Sequence, residues 1–181
     1  MASKTTKKPR KKNSSQIKSV GIYMTNMLSR KIQIPFENVG SNIKENLLKK
    51  LQEDLEGKCC REGYIKKNSI TINTYSCGVI KSDYIIFNVI FQCKICKPVE
   101  GMQIKCKVIN NTKAGIRAEY VKDDVSPIVI FVARDHNYKN TNFNKIENDD
   151  FIQIKVLGIR FELNDKVISV LGEFVKKIQP K

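Results

Sequence analysis

The sequence predicts a small α+β domain followed by an all-β barrel, and three features of its 181 residues indicate this fold class. Apolar residues follow helical spacing at residues 43–55, whereas the segments on either side alternate apolar and polar residues as strands do. The alternation stops at Lys-Pro-Val-Glu-Gly, residues 97–101, and then restarts without a second helical segment. We therefore expect an α+β domain at residues 28–99 and a β domain at residues 100–181.

The first 27 residues predict a basic, largely disordered arm. Residues 1–36 carry nine lysines or arginines and no acid, and the whole chain has a net charge of +15. Residues 4–12 have almost no apolar content, so they cannot bury enough surface to fold. The arm suits three roles that stay open: contact with phosphates, a nuclear address, or a solubility tail.

No secretory or membrane segment is predicted. The N-terminal residues lack the apolar block of a secretory signal, and no apolar run approaches the ~20 residues that span a bilayer. We therefore expect an intracellular protein with no membrane partner.

The α+β domain begins with a strand in which apolar residues alternate at residues 32–36. Asn42, with Glu45 three residues later, predicts a capped helix start, and Gly57 predicts its left-handed end. β-branched and aromatic residues then indicate about three strands, with a bend at Gly78. The apolar face of the helix is expected to consist of Ile43, Leu47, Leu48, Leu51 and Leu55.

The second domain is expected to contain five strands. A short turn separates the first two strands, and a long polar segment, residues 135–150, separates the third from the fourth. This strand count and loop pattern are typical of the OB-fold, a five-stranded barrel. The strands are expected near residues 102–110, 115–121, 126–134, 151–161 and 166–174.

Six cysteines, at positions 59, 60, 77, 93, 96 and 106, raise the question of metal or redox chemistry. Cys59 and Cys60 are adjacent, so in a strand they point to opposite faces and rarely chelate one ion. Cys93 and Cys96 are also separated by an odd number of residues. We expect packing roles for these thiols, and neither a metal nor a cofactor. A zinc or redox centre at Cys93 and Cys96 is the rival interpretation.

Catalytic patterns are not evident. A catalytic nucleophile usually needs a neighbouring general base, and His136 is the only histidine. A surface or RNA-stacking role suits this residue better than catalysis. The carboxylate pairs at residues 123–124 and 149–150 fall in turns, and no phosphate-binding glycine pattern occurs. We expect a protein that is not an enzyme and has no small-molecule substrate.

OB-folds bind single-stranded nucleic acid with aromatic side chains that stack on bases and cations that contact phosphates. Burial in the core is the alternative role for Tyr120 and Phe131, and simple solvation is the alternative for Lys105 and Lys107. The candidate RNA-binding residues are Lys105, Lys107, Arg117, Tyr120, Phe131, Arg134, His136 and Arg160.

The order of these segments resembles the stalk subunit of multisubunit DNA-directed RNA polymerases, which is the seventh-largest subunit in polymerase II and the E-prime subunit in archaea. The stretch "SRKIQIPFENVGSNIKENLLKKLQEDLEGKCCREGYI" is similar to the family's tip domain, and "FQCKICKPVEGMQIKCKVI" to its junction. Residues 158–160 stand where the family more usually has Gly-Thr-Arg. The resemblance covers residues 28–175. The second barrel strand departs from it, reading "GIRAEY", and short, divergent versions of this kind resemble those of large DNA viruses.

The resemblance implies a non-catalytic subunit that docks on the polymerase core near the clamp, biases the clamp closed, and holds its barrel near emerging RNA. It implies polymerase core subunits and nascent RNA as partners, and leaves a smaller helical stalk partner open. The location would be the virion and the viral factory in the host cytoplasm for a viral protein, or the nucleus for a cellular one. A free protein that binds single-stranded RNA or DNA in translation or packaging is the alternative. The implied docking residues are Asn38, Val39, Gly40, Asn42, Thr74, Tyr75 and Gly78.

Overall fold

Strand β6 (Tyr84–Cys96) organises the N-terminal half of the protein. In the computed structural model, which describes residues 21–40, 42–121, 125–137 and 142–178, β6 pairs antiparallel with β1 (Tyr23–Pro35) along its whole length. Its other edge pairs with β3, β4 and β5, and β2 adds to β3, which gives an N-terminal sheet of six strands. The short strands are β2 (Cys59–Cys60), β3 (Gly63–Ile65), β4 (Thr71–Tyr75) and β5 (Val79–Lys81).

The basic arm is shorter than the sequence predicts. β1 begins at Tyr23, and Ile22 before it is only 4% exposed. The prediction that the arm extends to residue 27 is therefore wrong for residues 23–27, because their backbone pairs with the last five residues of β6. Residues 1–20 lie outside the described part of the chain.

Helix α1 (Ile43–Leu55) covers one face of this sheet. Leu47 and Leu51 are fully buried against the sheet residues Ile32 and Phe91. Burying each leucine contributes about 1.5–3 kcal/mol, which holds the helix on the sheet. Gly57 follows the helix with φ +72°, as predicted for a left-handed end.

The start of α1 differs from the prediction in its detail. Asn42 occupies the N-cap position, but its side chain makes no capping hydrogen bond. Instead, its backbone carbonyl accepts hydrogen bonds from the N–H groups of Glu45 and Asn46. The predicted side-chain cap is therefore wrong, although the helix begins where the sequence places it. A 3-10 turn (Phe36–Asn38) connects β1 to the helix.

The C-terminal half is a closed five-stranded barrel. Its strands are β7 (Gln103–Asn111), β8 (Gly115–Tyr120), β9 (Ile128–Ala133), β10 (Phe151–Arg160) and β11 (Ile168–Ile178), and they close in the order β10-β11-β9-β8-β7. β9 and β11 run parallel, and the other neighbours run antiparallel. A short helix, α2 (Arg134–Asn137), and a 3-10 turn (Phe143–Lys145) follow β9. This arrangement is consistent with the predicted OB-fold.

The two hydrophobic cores pack against opposite faces of the same strands, β2 and β6, at the junction of the two halves. Cys59 and Cys96 pack into the barrel core, whereas Cys60 and Cys93 pack into the core beneath α1. The end of the N-terminal sheet is therefore buried on both faces, and it forms a layer between the two cores. This confirms that the adjacent and odd-spaced cysteines point to opposite faces of their strands.

Within the described ranges, no helix combines the length and the apolarity needed to cross a bilayer.

Candidate nucleic-acid and docking surfaces

The outer wall of the barrel carries an exposed aromatic side chain beside a cation. Arg117 on β8 pairs with Phe131 on β9, and Phe131 pairs in turn with Leu171 on β11. Phe131 is 41% exposed, so the alternative that it belongs to the core is wrong. Arg117 is exposed, and among the described residues its salt bridge is a long one, 3.9 Å, with Glu119. An aromatic ring beside a weakly paired guanidinium is the chemistry that binds a base and its phosphate.

Gly115 makes room for this ring. A Cβ added at Gly115 would lie 3.0 Å from the Phe131 ring and 2.4 Å from the backbone oxygen of Val132. The ring therefore rests against the glycine backbone of the neighbouring strand. Any larger residue at position 115 would displace the ring or the strand.

Tyr120 does not belong to this surface. It is 9% exposed and packs in the barrel core, where a base cannot stack on it. The prediction that Tyr120 contacts RNA is wrong, because alternation along β8 points positions 118 and 120 inward.

Arg134 is already engaged within the protein. Its guanidinium donates to the backbone oxygens of Lys113 and Thr112 at 3.2 and 3.0 Å, and to the side-chain oxygens of Asn111 and Asn144 at 2.9 and 3.2 Å. The same group lies 5.4 Å from the centre of the Phe143 ring. These contacts give Arg134 a structural role, and its contact with RNA stays a prediction. This side chain ties the β7–β8 turn to the loop after α2.

The other predicted RNA-binding residues lie apart from one another. Lys107 is paired with Asp149 at 2.6 Å, and Arg160, at the end of β10, is paired with Glu162 at 3.3 Å. His136 is exposed on α2. Lys105 pairs with Gln153 on β10, whereas the pairing of β7 with β8 begins only at Cys106. The structure therefore places Lys105 on a different side of the barrel from Arg117.

The predicted docking residues lie along the first half of β6, whose start is the end of the sheet remote from the barrel. On one side, residues 38–42 follow β1, whose last residue Pro35 pairs with Tyr84. On the other side, Tyr75 packs edge-on against Phe87 at 6.3 Å between ring centres. Gly78 lies against the same Phe87, 2.9 Å from an added Cβ. The structure therefore brings Gly78 close to the start of β6, whereas Thr74 and Tyr75 pair with the middle of that strand, at Ile90 and Val89.

Exposed apolar side chains cluster at this same end, and sequence reasoning missed most of them. Val79 and Ile80 on β5 are 64% and 69% exposed, and Phe36 is 44% exposed. Val79 and Ile80 are adjacent in β5, so they point to opposite faces of the sheet. We call Phe36, Tyr75, Val79 and Ile80, which together cover both faces of this part of the sheet, the distal surface. The signal available in the sequence was the run of apolar residues in "CGVIKSDYII", which is too short to show which side chains face water.

No protein-family model matches the chain. A protein of Acanthamoeba polyphaga mimivirus, provisionally named as a DNA-directed RNA polymerase subunit, is 27% identical over 172 residues, covering 85% of this chain and 82% of that protein. DNA-directed RNA polymerase II subunit 7 of Arabidopsis thaliana is 29% identical over 154 residues, covering 75% and 84%. The Glycine max subunit is 27% identical over 157 residues, covering 77% and 85%.

At 27–29% identity, the chain is similar to RNA polymerase II subunit 7 of plants and to a viral polymerase subunit. A match to 75–85% of this chain exceeds the length of either half alone, so the subunit 7 likeness spans parts of both the N-terminal sheet and the barrel. The relatives include a viral protein as well as plant proteins, which agrees with the resemblance to viral versions of the family.

Burial holds Cys59, Cys93 and Cys106 as protonated thiols. Burial raises the pKa of Cys59 and Cys93 to about 11 and that of Cys106 to about 12. A protonated thiol is neither a nucleophile nor a metal ligand at neutral pH. Among the described residues, no group of three or more histidine, cysteine or acidic side chains is placed to hold a metal ion.

Proposed function

We propose that the protein is a non-catalytic stalk subunit of a DNA-directed RNA polymerase. In this proposal residues 28–99 form a docking domain for the polymerase core near the clamp, and residues 100–181 form an RNA-binding domain. The observation that carries it is the likeness to named polymerase subunits over 75–85% of the chain. A relative of a single-domain RNA-binding protein would be expected to match the barrel alone.

The distal surface supports docking through the N-terminal sheet. Its four side chains are 38–69% exposed, and three of them are aliphatic or aromatic groups without a polar atom. Covering such side chains with a partner removes apolar surface from water, at about 25 cal/mol per Å². The neighbouring predicted contacts, Asn38, Val39, Gly40, Asn42, Thr74 and Gly78, would supply the polar rim and turn geometry of the same interface.

The pair formed by Arg117 and Phe131 supports RNA contact by the barrel. A base stacked on Phe131 would gain about 1–3 kcal/mol, and Arg117 would contact the adjoining phosphate. Neither residue reads base identity in this arrangement, so binding would be independent of sequence. This suits a subunit that meets many different transcripts.

The remaining partners and the location follow from the same proposal. Polymerase core subunits and nascent RNA would be the partners, with a smaller helical stalk subunit as a further candidate. The mimivirus relative favours a viral polymerase, in which case the protein would act in the viral factory and be packaged in the virion. A cellular version would act in the nucleus.

The docking half of the proposal is tested by charging the distal surface. We expect the double variant Val79→Asp/Ile80→Asp to fold but to be lost from the polymerase in a pull-down of the tagged core subunits. Ile109→Asp/Val175→Asp, which charges two exposed apolar positions on the barrel, is the matched control and should remain bound. Equal retention of both double variants would contradict docking through the distal surface.

The free single-stranded RNA- or DNA-binding protein is the alternative. Gel filtration of native extract separates the two functions, because a stalk subunit migrates with polymerase activity and a free binding protein of 20.7 kDa does not.

A further inference from the structure

Three lysines lie together on the side of the barrel opposite Phe131. The register of β7, β10 and β11 aligns Lys105, Gln153 and Lys176 in one row across the three strands. The next row with the same outward orientation contains Gln103, Lys155 and Glu173. β10, the middle strand of both rows, neighbours neither β8 nor β9. We call Lys105, Lys155 and Lys176 the lysine strip.

The lysine strip is short of carboxylate partners. Salt bridges engage Lys107 with Asp149 and Lys177 with Asp150 at the edge of this surface, at 2.6 and 2.5 Å. Within the described residues, no salt bridge involves any lysine of the strip. Glu173 is the one carboxylate in the two rows, so the surface retains an excess of positive charge.

The centre of the strip is arranged by hydrogen bonding. The Gln153 side-chain amide donates to the side-chain oxygen of Gln103 at 2.7 Å, which orients both glutamines beside the lysines. Gln153 also separates Lys105 from Lys176, so two like charges do not face each other directly across a strand pair. The lysines are therefore spaced over two strand intervals, or about 10 Å.

We propose that the lysine strip binds the phosphate backbone of single-stranded RNA. Cations spread over about 10 Å can contact neighbouring phosphates of one strand. The two rows contain no aromatic side chain, and lysines with uncharged glutamines suit contact with phosphates better than recognition of bases. This inference rests on the proposed RNA contact of the barrel and gives the RNA a second face, beyond the Arg117–Phe131 pair.

The test compares charge-matched variants of the full chain. Fluorescence anisotropy with a labelled oligouridine of about ten nucleotides would measure the affinity of wild type, Lys105→Gln/Lys155→Gln/Lys176→Gln, and the control Lys44→Gln/Lys49→Gln/Lys81→Gln, over a range of salt concentrations. The control removes three exposed lysines from α1 and β5. All six positions are exposed, so both variants should fold as wild type does, which thermal unfolding would check.

We expect the strip variant to reduce the slope of log K against log salt by about 2, because each phosphate contact on a single strand contributes about 0.7. Its affinity in 0.1 M salt should fall by roughly tenfold to a hundredfold, equally for oligouridine and for a mixed sequence. The control should change both quantities much less. Identical slopes for the two variants would overturn the proposal.

Two further outcomes separate this inference from the proposed function. If the strip variant keeps wild-type RNA binding but is lost from the polymerase pull-down, the strip binds an acidic protein surface and the RNA proposal is wrong. Phe131→Ala should weaken binding without changing the salt slope. If Phe131→Ala leaves RNA affinity unchanged while the strip variant lowers the salt slope, RNA contact by the Arg117–Phe131 pair is wrong and RNA contact by the lysine strip is supported.

Discussion

The backbone N–H of Asn164 donates a hydrogen bond of 2.9 Å to the carbonyl oxygen of Cys59, and the Cys59 N–H donates one of 2.7 Å to Asp165. These two bonds attach the turn between β10 and β11 to the outer edge of β2. The barrel thus covers an edge of the N-terminal sheet that would otherwise be unpaired. Together with the cysteines packed into both cores, this turn joins the two halves.

Replacing Asn164 should weaken this attachment most when the new residue resists a positive φ. Asn164 has φ +69°, a conformation that glycine adopts freely and β-branched residues resist. Asn164→Val should lower the free energy of unfolding by about 1–2 kcal/mol, whereas Asn164→Gly should change it little. Chemical denaturation measures both. A valine variant as stable as wild type would show that the turn does not require this conformation.

Gly63, between β2 and β6, should tolerate no side chain. It has φ +134°, and an added Cβ would lie 2.5 Å from the backbone oxygen of Cys96 and 2.9 Å from Ile95. Gly63→Ala should cost several kcal/mol, because the clash involves backbone within the shared layer. Gly101→Ala is the control, since Gly101 has φ +81° but open space around it, and should cost only about 1 kcal/mol. Similar losses in the two variants, measured by thermal unfolding, would contradict this account of the layer.

Stability should fall in alkaline solution because of the buried thiols. The pKa of Cys106 rises from its ordinary value of 9.0 to about 12 on burial, and those of Cys59 and Cys93 rise to about 11. The unfolded chain therefore loses these protons first, and the stability present below pH 9 is lost as the pH rises toward 11–12. Each thiol should contribute about 1 kcal/mol of the loss by pH 10.

Urea denaturation at pH 7.5 and pH 10 measures this loss. Cys106→Ala is the informative comparison, because the two proteins differ in this one titratable group. The variant should be less stable at pH 7.5 but should lose less stability between the two pH values. An equal loss in both proteins would exclude Cys106 as a source of the pH dependence.

Arg134 and Arg117 should behave in opposite ways when each is changed to alanine. Arg134→Ala removes four hydrogen bonds and the contact with Phe143, so it should lower the free energy of unfolding by about 1–3 kcal/mol. Arg117→Ala should leave stability within about 0.5 kcal/mol and weaken RNA crosslinking. Denaturation and crosslinking of the two single variants separate these roles. A stable Arg134→Ala protein with weakened crosslinking would contradict the structural role and support Arg134 as an RNA contact.

The periodic parts of the fold follow from the sequence. The spacing of Leu47 and Leu51 predicted the buried face of α1, and the positions of Cys59 and Cys60 predicted their opposite orientations. These succeed because local geometry fixes which way a side chain points once the element type is known.

The site was harder to predict because it depends on register and on loops. The partners of Arg134 lie at positions 111–113 and 144, and only the folded chain brings them to one guanidinium. Lys155 and Lys176 were missed because strand pairing, rather than spacing along the chain, places them near Lys105. The extent of β1 was missed because "YMTNM" is only weakly apolar, and pairing with β6 determines its strand structure.

Affinity purification of the tagged full chain from its native source, followed by quantitative mass spectrometry, tests the central claim most directly. We expect the largest polymerase subunits to be recovered in near-equal molar amounts with the wild-type chain, and to be lost with Val79→Asp/Ile80→Asp. Recovery of the chain with RNA or ribosomal proteins, and without polymerase subunits, would contradict a stalk function.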